Sequence, residues 1–267
     1  MNNTDLCFTS ALDLGRLFQA RELSPVEVVE AVLARIGACN PILNAFLTVT
    51  GDLALEQARA AEARLLRNES LGPLDGIPYS LKDLEPTAGI RTTFGSKWFE
   101  DYVPEGDGIL AGRLKKTGAV LLGKTNTSNF GYKDMCDNLL GPPCSNPWKL
   151  DRTSGASSGG AGAASAAGLG PLAHGSDGAG SIRIPAALCG VFGFKPNFGR
   201  IPYGPSDDAF ASRSHNGPMT RTVRDAALFM QAMVGMDLRD PFSMGDPVDD
   251  WLSCCDGDLA GLRIAWS

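Results

Sequence analysis

From Thr153 to Ser181 the chain reads TSGASSGGAGAASAAGLGPLAHGSDGAGS, a run built mostly of glycine, alanine and serine. Such a composition suits a flexible linker. Two features of the sequence speak against that reading. The run holds Leu169, Pro171 and Leu172, and it passes without a break into IRIPAALCGVFGFKP, whose apolar density demands burial. Inside a core, small residues let backbones approach closely, and glycine-rich turns can aim several N–H groups at one point, as an oxyanion site requires. The segment is therefore expected among buried strands, where it constrains the fold more than any other part of the chain.

The rest of the sequence is helical first and alternating later. SPVEVVEAVLARIG offers Ser24 as an N-cap, Pro25 in the first turn, apolar residues at helical spacing and Gly37 as a stop. A second helix is expected from Leu53 to Arg67, a buried strand within DGIPYSLKD, a helix from Gly108 to Lys116 and a strand from Ala119 to Leu122. Thr222, Asp225 and Gly235 bound a further helix, GPMTRTVRDAALFMQAMVG. The Asp-, Pro- and Gly-rich stretch after it reads as a surface excursion, and LAGLRIAWS as the start of a strand.

GAVLLGKT, Gly118 to Thr125, spells a phosphate loop. Its inner residues AVLL are strand-like, whereas a phosphate loop needs its strand before the first glycine. The expected structure is a buried strand leaving through Gly123 to a polar loop, with no nucleotide. A net charge of −6 argues against nucleic acid or an anionic membrane as partner. No apolar run reaches the roughly 18 residues of a membrane span, and the N-terminus lacks a secretory pattern, so the cytoplasm is the expected compartment. The seven cysteines are odd in number and form no Cys-x-x-Cys pair. They are expected as reduced thiols, with no metal and no cofactor.

Ser157, Ser158 and Ser181 lie in tight glycine contexts and are candidate nucleophiles. GASSG around Ser157 spells the G-x-S-x-G elbow, which needs a histidine. His174, on the strand PLAHG, reads as a core residue; His215 would complete a histidine-dependent esterase with Asp207 or Asp208. The polar segment NPWKLDRTSGA before Ser157 does not suit the strand that an elbow requires.

GIPYSLKD, NPWKLDRTSGASSGG, GSDGAGSIRIPAALCG and GFKP occur in order, and together they closely resemble the amidase signature family, from the N-terminal helices to the last strand. That resemblance implies hydrolysis of a small-molecule carboxylic amide by a Ser, cis-Ser, Lys triad. Ser181 would be the nucleophile, Ser157 the bridging serine after a cis bond to Ala156, and Lys82 the base. The N–H groups of Gly178, Ala179, Gly180 and Ser181 would bind the oxyanion, with Ser158, Asp177 and Arg183 in support. The implied fold is α/β: a central mixed sheet covered by helices on both faces, in a single domain over 1–267. Residues 1–70 form its mainly helical N-terminal region and 71–267 its catalytic core.

The proposed chemistry sets a physical demand. Ser157 relays the proton of Ser181 to Lys82, so the amine must be neutral near pH 7 although its ordinary pKa is about 10.4, a lowering that burial can supply at a cost of about 4 kcal/mol. Alanine stands at 156 and 179 where the family usually has glycine; a positive φ at 179 would strain the turn and misdirect its N–H. Family members also continue well beyond the equivalent of Ser267. A truncated member is therefore expected, with its C-terminal portion missing and apolar faces left for a second copy or a complementary C-terminal chain. The alternatives are a non-catalytic or split fragment, and a protein like an amidotransferase subunit.

Overall fold

In the computed structural model, residues 2–204, 213–246, 250–263 and 265 are described. Four helices lead: α1 (Asn3–Phe8), α2 (Ala11–Gln19), α3 (Pro25–Leu43) and α4 (Gly51–Leu66), with β1 (Phe46–Val49) between the last two. Ser24 caps α3 through a full capping box with Glu27. The helix does not stop at Gly37. Nothing stands within 4 Å of a Cβ built there, and an exposed helical glycine costs only about 1 kcal/mol. Termination falls instead to Asn44, in the left-handed region at φ 49°.

The elements that follow are β2 (Pro78–Lys82), α5 (Ile109–Lys116), β3 (Val120–Thr125), β4 (Ser145–Asn146), β5 (Lys149–Thr153), α6 (Gly159–Ala166), β6 (Leu172–Asp177), α7 (Arg183–Cys189), β7 (Phe192–Gly193), β8 (His215–Thr220) and α8 (Val223–Met233). Six strands form one mixed sheet in the order β1-β3-β2-β6-β8-β7, and β4 pairs with β5 in a separate hairpin. The central strands β3, β2 and β6 run parallel, while β1, β8 and β7 pair antiparallel to their neighbours. Alternation decides which helix covers which face. Ala173 packs with Ala161 of α6 and Ala186 of α7, whereas on the opposite face Tyr79 meets Phe229 of α8 edge to face.

Strand β3 does not end at Leu122. It passes through Gly123 at φ 146°, where a Cβ would lie 2.1 Å from the Thr48 carbonyl oxygen of β1, so only glycine lets the two strands pair there. Lys124 consequently points into the core, fully buried. Its ammonium donates to the Glu85 carbonyl at 2.5 Å and Thr92 Oγ1 at 2.8 Å and lies 3.7 Å from the buried Asp83 carboxylate. The lysine of the phosphate-loop look-alike is thus a core ion-pair partner.

The glycine-rich run is a buried helix and strand. At Gly160 an added Cβ would meet Asn126 N at 2.3 Å and the Ala45 carbonyl at 2.5 Å, so the first turn of α6 lies directly on the backbone leaving β3. Thr222 caps α8 as expected, and the stretch after it is largely exposed. Within LAGLRIAWS, Leu259–Arg263 form a turn and no strand; Ile264, Trp266 and Ser267 lie outside the described residues.

Candidate active site

Lys82 ends β2 on the face covered by α6, completely buried. Its Nζ stands 2.6 Å from Ser157 Oγ, 3.0 Å from Ser176 Oγ and 3.3 Å from the Ser176 carbonyl. Burial drives the ammonium pKa down to about 7, against weaker raising effects of Cys136 and Asp177. The amine thus reaches neutrality at a pH where an exposed lysine is fully charged.

Ser157 belongs to the turn between β5 and α6, and the peptide bond from Ala156 to Ser157 is cis. Its neighbour Ser158 fastens that turn to β6: Ser158 Oγ donates to the Ser176 carbonyl at 3.1 Å and accepts from Ser176 N at 3.2 Å. Ser158 N also donates to the Ser181 carbonyl at 3.2 Å, tying the bridging turn to the loop that holds Ser181. Ser157, Ser176, Gly178, Ala179 and Ser181 line one cavity of about 350 Å³, walled opposite by Phe130 to Asp134.

Asp177 organises the loop from Gly178 to Ser181. Its Oδ1 accepts from Gly180 N at 2.7 Å and Arg183 Nη2 at 2.9 Å; its Oδ2 accepts from Ile182 N at 3.1 Å and Arg183 Nε at 2.9 Å. Although burial opposes ionisation, this donor set holds the carboxyl far below its usual range. The Gly180 N–H is therefore committed to Asp177. Among the described residues the N–H groups of Gly178, Ala179 and Ser181 have no protein acceptor. Gly180, at φ 120°, takes the left-handed turn; Ala179 has no positive φ, so the strain that its methyl group threatened does not arise.

Among the described residues neither histidine is hydrogen-bonded to the Lys82 ammonium or to Ser157. His174 is buried on β6, where Nδ1 accepts from Lys82 N at 3.4 Å and Nε2 faces Asn216 Oδ1 at 3.0 Å, which fixes the proton on Nε2. Burial lowers its pKa to about 3, so the ring is a neutral core group. His215 directs Nδ1 at the carbonyls of Asp177 and Arg213, at 3.1 and 3.0 Å. No hydrogen bond joins it to Ser157 among the described residues, and Asp207 and Asp208 lie outside them. Sequence reasoning passed over Ser176, the second hydroxyl at Lys82. Its only signal was its place directly before Asp177 in GSDG.

Among the described residues no group of three His, Cys, Asp or Glu side chains is arranged to hold a metal, and no helix is long and apolar enough to cross a membrane. A mixed sheet that delivers a buried lysine to a serine beside a glycine-rich loop places the chain among α/β proteins with a lysine–serine pair beside a cavity. The family model described as Amidase matches residues 27–267, and the chain belongs to the amidase signature family. It is 43% identical over 267 residues to an acylamidase of Rhodococcus erythropolis, covering 100% of this chain and 56% of that one. It is likewise 43% identical over 262 residues to a glutamyl-tRNA(Gln) amidotransferase subunit of Carboxydothermus hydrogenoformans, covering 97% and 54%. A solved chain described as part of a vestigial protein complex that reveals the origins of an s-triazine catabolic enzyme superposes with a TM-score of 0.91 at 39% identity, covering 96% of this chain and 56% of that one. The chain spans about half the length of the curated relatives it matches.

Proposed function

We propose that this chain carries the catalytic half of an amidase that hydrolyses a small carboxylic amide through an acyl-enzyme on Ser181. The observation that carries this reading is the 2.6 Å contact between Lys82 Nζ and Ser157 Oγ, made by a lysine whose pKa burial has brought to about 7. In the proposed first step Ser181 Oγ attacks the amide carbon as its proton passes to Ser157 Oγ, whose own proton moves to Lys82 Nζ. The tetrahedral oxyanion accepts from the N–H groups of Gly178, Ala179 and Ser181, while Gly180, bonded to Asp177, shapes the turn. On collapse the C–N bond breaks and Lys82 returns a proton through Ser157 to the leaving amine. Water then repeats the sequence on the acyl-enzyme and releases the acid. No step calls on a cofactor.

A second reading has its own support. The likeness to a chain from a complex and to one component of an amidotransferase favours a unit that works with another protein chain. The free thiols suit a reducing compartment such as the cytoplasm. A fluorophosphonate probe separates the readings. Labelling of Ser181 in the chain alone, abolished by Ser181→Ala, supports autonomous catalysis. Labelling only after addition of a complementary C-terminal half supports the split unit, and labelling in neither case removes the catalytic reading.

A further inference from the structure

Cys136 and Cys144 face each other across a hairpin that is separate from the sheet. Cys144 N donates to the Cys136 carbonyl at 2.8 Å, and inside that pair Asn138 and Gly141 form an antiparallel bridge. The bridge register would set Cys136 opposite Pro143, so Cys144 meets it across a one-residue bulge, and the backbone bond holds the two residues side by side, as the roughly 4.4–6.8 Å Cα separation of a disulfide requires. Both side chains are buried from the bulk surface, yet both line a cleft of about 350 Å³ that also contains the exposed Leu150 and Asp151. That cleft shares no lining residue with the cavity of Ser157 and Ser181, and it is the side from which hydrogen peroxide would approach. The hairpin leads directly from Phe130 to Asp134, the wall of that cavity.

We infer that Cys136 and Cys144 form an oxidisable dithiol that hydrogen peroxide closes into a disulfide, locking the hairpin next to the cavity wall. The reaction balances without another reagent. The Cys136 sulfur attacks one peroxide oxygen: an S–O bond forms, the O–O bond breaks, and one water leaves as Cys136 becomes a sulfenic acid. The Cys144 sulfur then attacks Cys136: the S–S bond forms, the S–O bond breaks, and a second water departs with the remaining thiol proton. The sulfur pair gives up two electrons and the peroxide takes them. A hydrogen bond that the Cys144 thiol donates to Cys136, together with burial, raises Cys144 well above the usual thiol range, so Cys144 keeps its proton while Cys136 meets the oxidant first.

The test is peptide mapping of the full chain after treatment with hydrogen peroxide, without reductant. The expected result is a mass loss of two hydrogens, confined to a linked peptide that contains residues 136 and 144. Cys144→Ser should then leave a sulfenic acid on Cys136 that dimedone traps, and Cys189→Ser should leave the link intact. Two outcomes overturn the inference: both thiols remaining alkylatable after oxidation, or a map that joins Cys136 to Cys189 instead. Circular dichroism of each variant confirms that it is folded before the result is read.

Discussion

Lys82 Nζ lies 2.6 Å from Ser157 Oγ at the end of a strand in which every residue is buried. That proximity couples chemistry to protonation. In the proposed relay Lys82 accepts a proton only when neutral, so the rate of Ser181 acylation should climb as pH rises through about 7 and level off above it. Lys82→Met should lower that rate by roughly 10²–10⁴-fold and remove the pH step. Stability should carry the same signature. The folded pKa is below the unfolded one, so between about 7 and about 10.4 the unfolded chain binds the extra proton and stability rises with pH, by up to about 1.4 kcal/mol per pH unit. Urea melts at a series of pH values should show a steeper slope in the wild type than in Lys82→Met, which keeps the contribution of Lys124, itself lowered by burial to about 8.

Asp177→Asn should destabilise the fold by about 2 kcal/mol or more, because the carboxylate accepts charge-assisted bonds from Gly180, Ile182 and Arg183. Arg183→Ala should cost only about 1 kcal/mol or less, since that side chain is 55% exposed and Asp177 keeps its backbone donors. As the folded pKa of Asp177 is depressed, its contribution is present above about 3.9 and lost as pH falls below it. Urea melts at pH 7 compare the two variants. Equal losses would show that the ion pair, rather than the loop amides, holds the turn.

Gly160→Ala and Gly162→Ala change the same helix and should differ sharply. At Gly160 the methyl group would meet backbone atoms at 2.3 to 2.6 Å, which no rotamer can relieve, and a cost of about 3 kcal/mol is expected. At Gly162 the nearest atoms lie at 3.2 to 3.3 Å and include the Cys189 and Met219 side chains, so about 1 kcal/mol or less is expected. Thermal unfolding of both variants decides the comparison.

Lys124→Met should destabilise the chain by about 3 kcal/mol or more, because it leaves the buried Asp83 carboxylate without its ion-pair partner and removes one of the two donors to the Glu85 carbonyl, Thr87 Oγ1 being the other. Lys124→Met with Asp83→Asn should recover part of that loss. Denaturant midpoints of the two single variants and the double variant measure the coupling.

Where a local pattern carried the whole signal, the sequence was readable. The capped helices at Ser24 and Thr222 formed as their caps and periodicity require, and burial of the glycine-rich run followed from the apolar residues within and after it. Boundaries set by distant partners were not legible. Gly123 continues a strand because the β1 backbone lies against it, and Gly37 continues a helix because nothing there demands an end.

Which residues are candidates for chemistry, and their order along the chain, could be read from the primary structure: Lys82, the serines and the loop glycines stand in recognisable motifs. What they do to one another belonged to the tertiary structure. Only packing brings residues 82 and 157 into contact, removes water from the amine and so lowers its pKa. Only the folded loop commits the Gly180 N–H to Asp177 and leaves those of Gly178, Ala179 and Ser181 without an acceptor among the described residues. Hydrogen bonds and desolvation act over a few ångströms of space, whereas these groups are separated by long stretches of chain, and the fold alone converts the one distance into the other.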